Sequence, residues 1–166
     1  IYFDDPDGVH IEIATRGPGW TVDEPAGLLG AAVQTPPTAL TLTGRDEAQI
    51  AQETWPQPVP AITSDMALMI GMHHITAISS DIQRTDAFFS DVLGMRKLKM
   101  TTNFDDPSSA HWYWGVGDGA PGTVITYFER KTGDTRYAQV GIGMTHHYAL
   151  AVQDEDEQTQ WRVRLS

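Results

Sequence analysis

The 166-residue sequence predicts an α+β fold of paired βαβββ modules. Three observations carry that expectation. Residues 71–131 read in the order strand, helix, strand, strand, strand. The same order restarts near Gly143, where His147 repeats His74. The chain also opens on two short strands of the kind that would close such a module. The chain therefore divides into four stretches: 1–15, the last strands of one module; 16–65, a Pro-rich tail or linker; 66–140, a complete module; and 141–166, the first strand and helix of a second module. The second module is read as cut open, with its end placed first.

The opening strands flank the turn Asp4-Asp5-Pro6-Asp7-Gly8, where Pro and Gly punctuate two β-rich runs. Seven of the ten prolines lie between Arg16 and Ile62, which shows no clear strand and a weak helix over Asp46–Thr54. Met72–Ser79 has strand character. Asp81 caps an expected helix reaching Leu93, because Phe88, Phe89, Val92 and Leu93 recur at helical spacing and Gly94 ends the run. Three strands follow over Arg96–Thr102, His111–Val116 and Thr123–Glu129, the last two separated by Gly119-Ala120-Pro121-Gly122. In the repeat, Asp154 takes the place of Asp81 and Trp161 that of Phe88. The start at Ile1 falls inside a strand, whereas a natural start is expected near Met66, Met69 or Met72.

Eleven Lys and Arg against 22 Asp and Glu give a net charge of −11. Ten acids and two bases lie in residues 1–65, so the charge is concentrated ahead of the modules. Such acidity disfavours phosphate backbones and anionic lipid, so no nucleic-acid or membrane partner is expected. No apolar run has the length of a membrane span, and the cytoplasm is the expected compartment. The absence of cysteine removes disulfides, thiolate metal sites and cysteine nucleophiles.

Strand alternation sorts the candidate chemical groups by face. His74 shares a face with Thr76 and Ile78; His147 sides with the small Ala149 and Ala151; Glu12 sides with His10 and Ala14. Two imidazoles and one carboxylate form a facial triad that leaves positions open on an octahedral metal. That set suits Fe(II) first and Mn(II) next, with Zn(II) less suited to so open a site. A lone His or Glu on a strand is more often structural, but doublets matched to the repeat strengthen the metal reading. Tyr2 is core by default, or a phenol aimed at a substrate. The aromatics Trp112, Tyr113, Trp114, Tyr127 and Phe128 read as core and inter-module packing, whose alternate members could wall an aromatic-binding pocket.

Four stretches together resemble the vicinal oxygen chelate superfamily of glyoxalases, bleomycin-resistance proteins and extradiol dioxygenases. They are GMHHITAISSDIQRTDAFFSDVLGMRKLKMTTNFDDPSS, GAPGTVITYFER, THHYALAVQDEDEQTQWRVRL and IYFDDPDGVHIEIATRGPGWTVDEP. Within it the likeness is greatest to hydroquinone-type ring-cleaving dioxygenases. The resemblance implies curved mixed sheets around a metal, with His74, His147 and Glu12 as its ligands and His73 and Tyr2 as catalytic groups. It implies a hydroquinone- or catechol-like substrate and dioxygen as partners. Family members usually carry four modules; here the segment joining Ser166 to Ile1, with a strand and an Arg, is missing. A homodimer or a missing segment is expected to complete the site. A glyoxalase-type lyase or isomerase, a non-catalytic small-molecule-binding protein of resistance type, and an inactive fragment or structural module remain alternatives.

Overall fold

A computed structural model describes residues 2–14, 19–35, 61, 71–103, 106–130 and 140–166. The helix expected over Asp46–Thr54 lies outside them. The chain divides into two compact units, Thr15–Thr135 and the two chain ends together, Ile1–Ala14 with Arg136–Ser166.

The larger unit is built on a five-stranded mixed sheet. Its strands are β3 (Val33–Gln34), β4 (His74–Ser79), β5 (Arg96–Thr102), β6 (Ala110–Gly115) and β7 (Val124–Glu129), in the spatial order β3-β5-β6-β7-β4. β5, β6 and β7 are antiparallel neighbours, and β4 runs parallel to β7 with His74 opposite Val124 and Thr76 opposite Thr126. This is the expected βαβββ order, and the mixed sheet with few helices is the α+β class. The two-residue β3 is an addition: the Pro-rich stretch, which shows no clear strand in sequence, lays Val33 and Gln34 parallel to Met100 and Thr101. Tertiary bonds hold it there. Glu24, 7% exposed, accepts from the N–H groups of Gly30 and Ala32, and Thr101 donates to the Gln34 carbonyl.

The helix α1 (Ile82–Ala87) starts where Asp81 accepts from Gln83 and Arg84 N–H at 3.1 and 3.0 Å. It then widens into a π-turn over Phe88–Val92, where the Leu93 N–H reaches back to the Phe88 carbonyl. Phe88 and Phe89 are neighbours, which a helix turns to different sides by about 100°. Phe89 is buried at 2% exposure and Phe88 is exposed at 46%. The helix packs Ile82 and Phe89 with Met95, Trp112, Trp114 and Ile125 as the core of one sheet face. Trp112 and Trp114 are thus core, as their alternation allows, whereas Tyr113 and Phe128 occupy the other face.

The smaller unit holds an antiparallel hairpin of β1 (Tyr2–Asp4) and β2 (His10–Glu12) and the helix α2 (Glu155–Leu165). The hairpin turn is tied by Asp5, whose carboxylate accepts from Asp7 and Val9 N–H at 2.9 Å. Gly143, at φ 74°, lies so close to the Asp7 carbonyl that a Cβ would stand 2.3 Å from it. The strand expected after Gly143 does not form: residues 145–152 belong to no ladder. A strand is stable only against a hydrogen-bonding neighbour, and the described residues supply none there. The helix start is as the repeat predicts, with Asp154 accepting from Glu157 N–H at 2.8 Å while Glu157 reaches back to Gln153 N–H at 2.7 Å.

These twin caps predict a paired outcome. Asp81→Ala should destabilise the larger unit by about 1 kcal/mol, read by urea denaturation. Asp154→Ala should lower the helical circular dichroism signal and leave that urea transition in place. An unchanged transition in Asp81→Ala would remove the cap from the account.

Candidate functional site

β4 brings the first His doublet to the start of an edge strand of the larger unit. His73 and His74 are half-buried and meet edge to face, with their Nδ1 atoms 2.9 Å apart. In the smaller unit, the exposed His146 and His147 repeat this arrangement, with Nδ1 atoms 2.7 Å apart and rings at 83°. A hydrogen bond between two Nδ1 atoms needs one donor and one acceptor, so at least one ring of each pair is neutral. Metal-bound imidazoles commonly have their second nitrogen hydrogen-bonded, which sets the ring's orientation. His74 and His147 have that arrangement, and a metal bond from either would be made through Nε2. The donor set fits a divalent metal in this respect.

Glu12 and Tyr2 are register partners across the hairpin, and both are exposed. Tyr2 lies parallel to the His10 ring at 5.4 Å between centroids, and His10 Nδ1 is 2.7 Å from Asp4 Oδ1. His10, which shares the Glu12 face, is therefore engaged by Asp4. The expected residues fall in both units: His73 and His74 in the larger, and Tyr2, Glu12 and His147 in the smaller. Among the described residues of either unit, no three His, Asp or Glu side chains are grouped to hold a metal ion.

The sheet face opposite α1 carries a polar chain absent from the expected residues. His111 Nε2 lies 3.0 Å from Thr126 Oγ1, Tyr113 Oη lies 3.0 Å from His111 Nδ1, and Thr126 donates to Thr76 Oγ1 at 2.9 Å. Burial pushes the His111 pKa down to about 3, and the nearby charge of His74 adds to the shift. His111 is therefore neutral at physiological pH. Phe128 lies against its ring at 3.8 Å between centroids, and Trp20 meets Tyr113 edge-on at 5.5 Å. The signal in sequence was the alternation of β6, which separates His111 and Tyr113 from Trp112 and Trp114. The aromatic richness of the strand obscured the His among them.

Residues 71–166 match the Glyoxalase/Bleomycin resistance protein/Dioxygenase superfamily. The chain belongs to that superfamily. The match takes in both His doublets and both Asp-capped helices. Among curated relatives, a Bacillus subtilis (strain 168) protein named "Putative ring-cleaving dioxygenase MhqO" is 51% identical over 76 residues, 44% of this chain and 24% of its own length. A second from the same strain, "Putative ring-cleaving dioxygenase MhqE", is 48% identical over 58 residues, 35% of this chain and 19% of its own length. The chain thus spans about a quarter or less of these relatives. A crystal structure of a putative dioxygenase from Bacillus subtilis is 50% identical over 36% of this chain and 19% of that one, with a TM-score of 0.35. A Listeria monocytogenes fosfomycin resistance protein FosX, solved with Mn(II), is 18% identical and covers 59% of this chain and 70% of its own, with a TM-score of 0.42. No helix among the described residues is long and apolar enough to cross a membrane.

Proposed function

We propose that this superfamily member serves oxidative ring opening of a hydroquinone- or catechol-like phenol with Fe(II), for which His74 in the larger unit and His147 and Glu12 in the smaller are the candidate ligands. The observation that carries the reading is the twinned doublet: in each unit one imidazole is oriented through Nδ1 by its neighbour, so a metal bond from it would be made through Nε2. The names of the relatives favour ring cleavage over other chemistry of the superfamily. A bound Fe(II) would supply open positions for a phenolate and dioxygen and a path for electron density between them. The chain's own groups do the rest. His73 and His146 hold the ligand rings in place, and the Glu12 carboxylate offsets the positive charge. The Tyr2 hydroxyl donates to the substrate oxygen on which negative charge develops. Mn(II) serves the same donor set, and Zn(II) suits it less.

The test is metal content together with oxygen uptake. The full chain reconstituted anaerobically with Fe(II) should retain the metal through desalting and consume oxygen on hydroquinone or catechol. His74→Ala and Glu12→Gln should each lose the metal and the uptake. Metal content unchanged in both variants would sink the ligand assignment. Retained metal without uptake would favour a glyoxalase-type lyase or isomerase, which needs only a polarising metal and a carboxylate base.

A further inference from the structure

Three hydrogen bonds on the sheet face opposite α1 run one way. Thr126 uses its single hydroxyl hydrogen on Thr76, so it accepts from His111 Nε2–H. With its proton on Nε2, neutral His111 accepts at Nδ1 from the Tyr113 hydroxyl. The chain therefore passes from Tyr113 on β6 through His111 and Thr126 on β7 to Thr76 on β4. Thr76 accepts there, and its own hydroxyl hydrogen has no acceptor among the described residues. Thr76 is exposed and stands two residues from His74, on the same side of the same edge strand. Donors linked in series polarise one another, so the last hydroxyl is a stronger donor than an isolated threonine. The rings of Phe128 and Tyr113 flank the chain and offer an aromatic ligand apolar contact.

We propose that Tyr113, His111 and Thr126 are positioning residues that aim the Thr76 hydroxyl at the anionic oxygen of a phenolate lying over this face. The assignment rests on the phenolic substrate class proposed above and names the groups that recognise it. A single terminal donor beside aromatic rings matches one phenolate oxygen on a ring.

The probe is 4-nitrocatechol, a chromogenic phenolate, titrated into the full chain in the presence of EDTA and read by its absorbance shift. Thr76→Val and His111→Phe should each weaken binding about tenfold, the range for a hydrogen bond to a charged group. Thr76→Ser should bind as the unaltered chain does, and Thr76→Val/His111→Phe should be no weaker than either single variant. Thr126→Val removes the same link if His111→Phe fails to fold. Nitrogen-15 spectra should show His111 as the Nε2–H tautomer, with its Nδ1 signal moved in Tyr113→Phe. Absent binding, losses that multiply in the double variant, or an Nδ1–H tautomer would overturn the assignment. Lost oxygen uptake with this binding series intact would overturn the dioxygenase reading and leave the assignment standing.

Discussion

Trp114→Ala should destabilise the larger unit by about 3–5 kcal/mol, a large share of the stability of an ordinary domain. Trp114 is fully buried, lies against Phe89 at 5.5 Å between centroids and meets Tyr127 edge to face. Its indole N–H also donates to Asp86 Oδ1 at 2.8 Å. The second Asp86 oxygen pairs with Lys97 at 2.5 Å, and Lys97 lies over the Trp112 ring. Truncation would therefore open a cavity between helix and sheet and take a partner from a half-buried carboxylate. That carboxyl is held below its ordinary range: burial opposes its charge, but bonds from Lys97, Trp114 and Ser90 prevail. Trp114→Phe separates the two effects, since it keeps most of the packing and loses the N–H. Its cost should be about 1–3 kcal/mol. Urea denaturation followed by near-ultraviolet circular dichroism measures both. A cost below about 1 kcal/mol for Trp114→Ala would show that the aromatic cluster does not hold the helix on the sheet.

Acid should destabilise the same unit well before its carboxylates protonate. His111 has a folded pKa near 3, against an ordinary histidine value near 6.5. Between these values the unfolded chain binds a proton there that the folded chain does not. Stability therefore falls as pH drops from about 6.5 towards 3, by up to about 1.4 kcal/mol per pH unit for one such group. Glu24 and Asp86, both held below their ordinary values, add to the loss in the same direction at lower pH. For a lowered carboxylate, stability is present above its unfolded pKa and is lost as pH falls through the folded one. Denaturation midpoints between pH 7 and 4.5 check this. His111→Gln should flatten the decline over that interval and leave the steeper loss below it. An equal slope in both proteins would show that His111 takes up a proton in the folded state as readily as in the unfolded one.

Residues near one another in sequence were the most readable. The limits of β5 coincide with the expected Arg96–Thr102, and both Asp caps stand where the repeat sets them. A cap needs only the next two or three backbone N–H groups, and a strand's alternation is local. The doublets His73–His74 and His146–His147 were legible for the same reason, because neighbours in sequence carry their own geometry with them. Phe88 and Phe89 show the limit of such reasoning. Their spacing suits a helical stripe, yet only Phe89 packs against the sheet while Phe88 stays exposed. The strand expected around His147 failed for a related reason, since alternation marks two faces but cannot supply a neighbouring strand.

Sequence pattern therefore set the βαβββ order of the larger unit, the helix starts and the paired imidazoles, all of which depend on contacts within a few residues. The β3 addition, the face on which α1 lies and the polar chain from Tyr113 to Thr76 depend on strands far apart in sequence. Thr76 and Thr126 are separated by 50 positions and meet because β4 and β7 run parallel. His111 shows the same dependence: in sequence it is one more residue in an aromatic strand. Folding buries it beside Thr126 and Tyr113, and that environment makes it a neutral link. Burial and proton direction are collective properties of packed strands, whereas periodicity and capping are properties of a single segment.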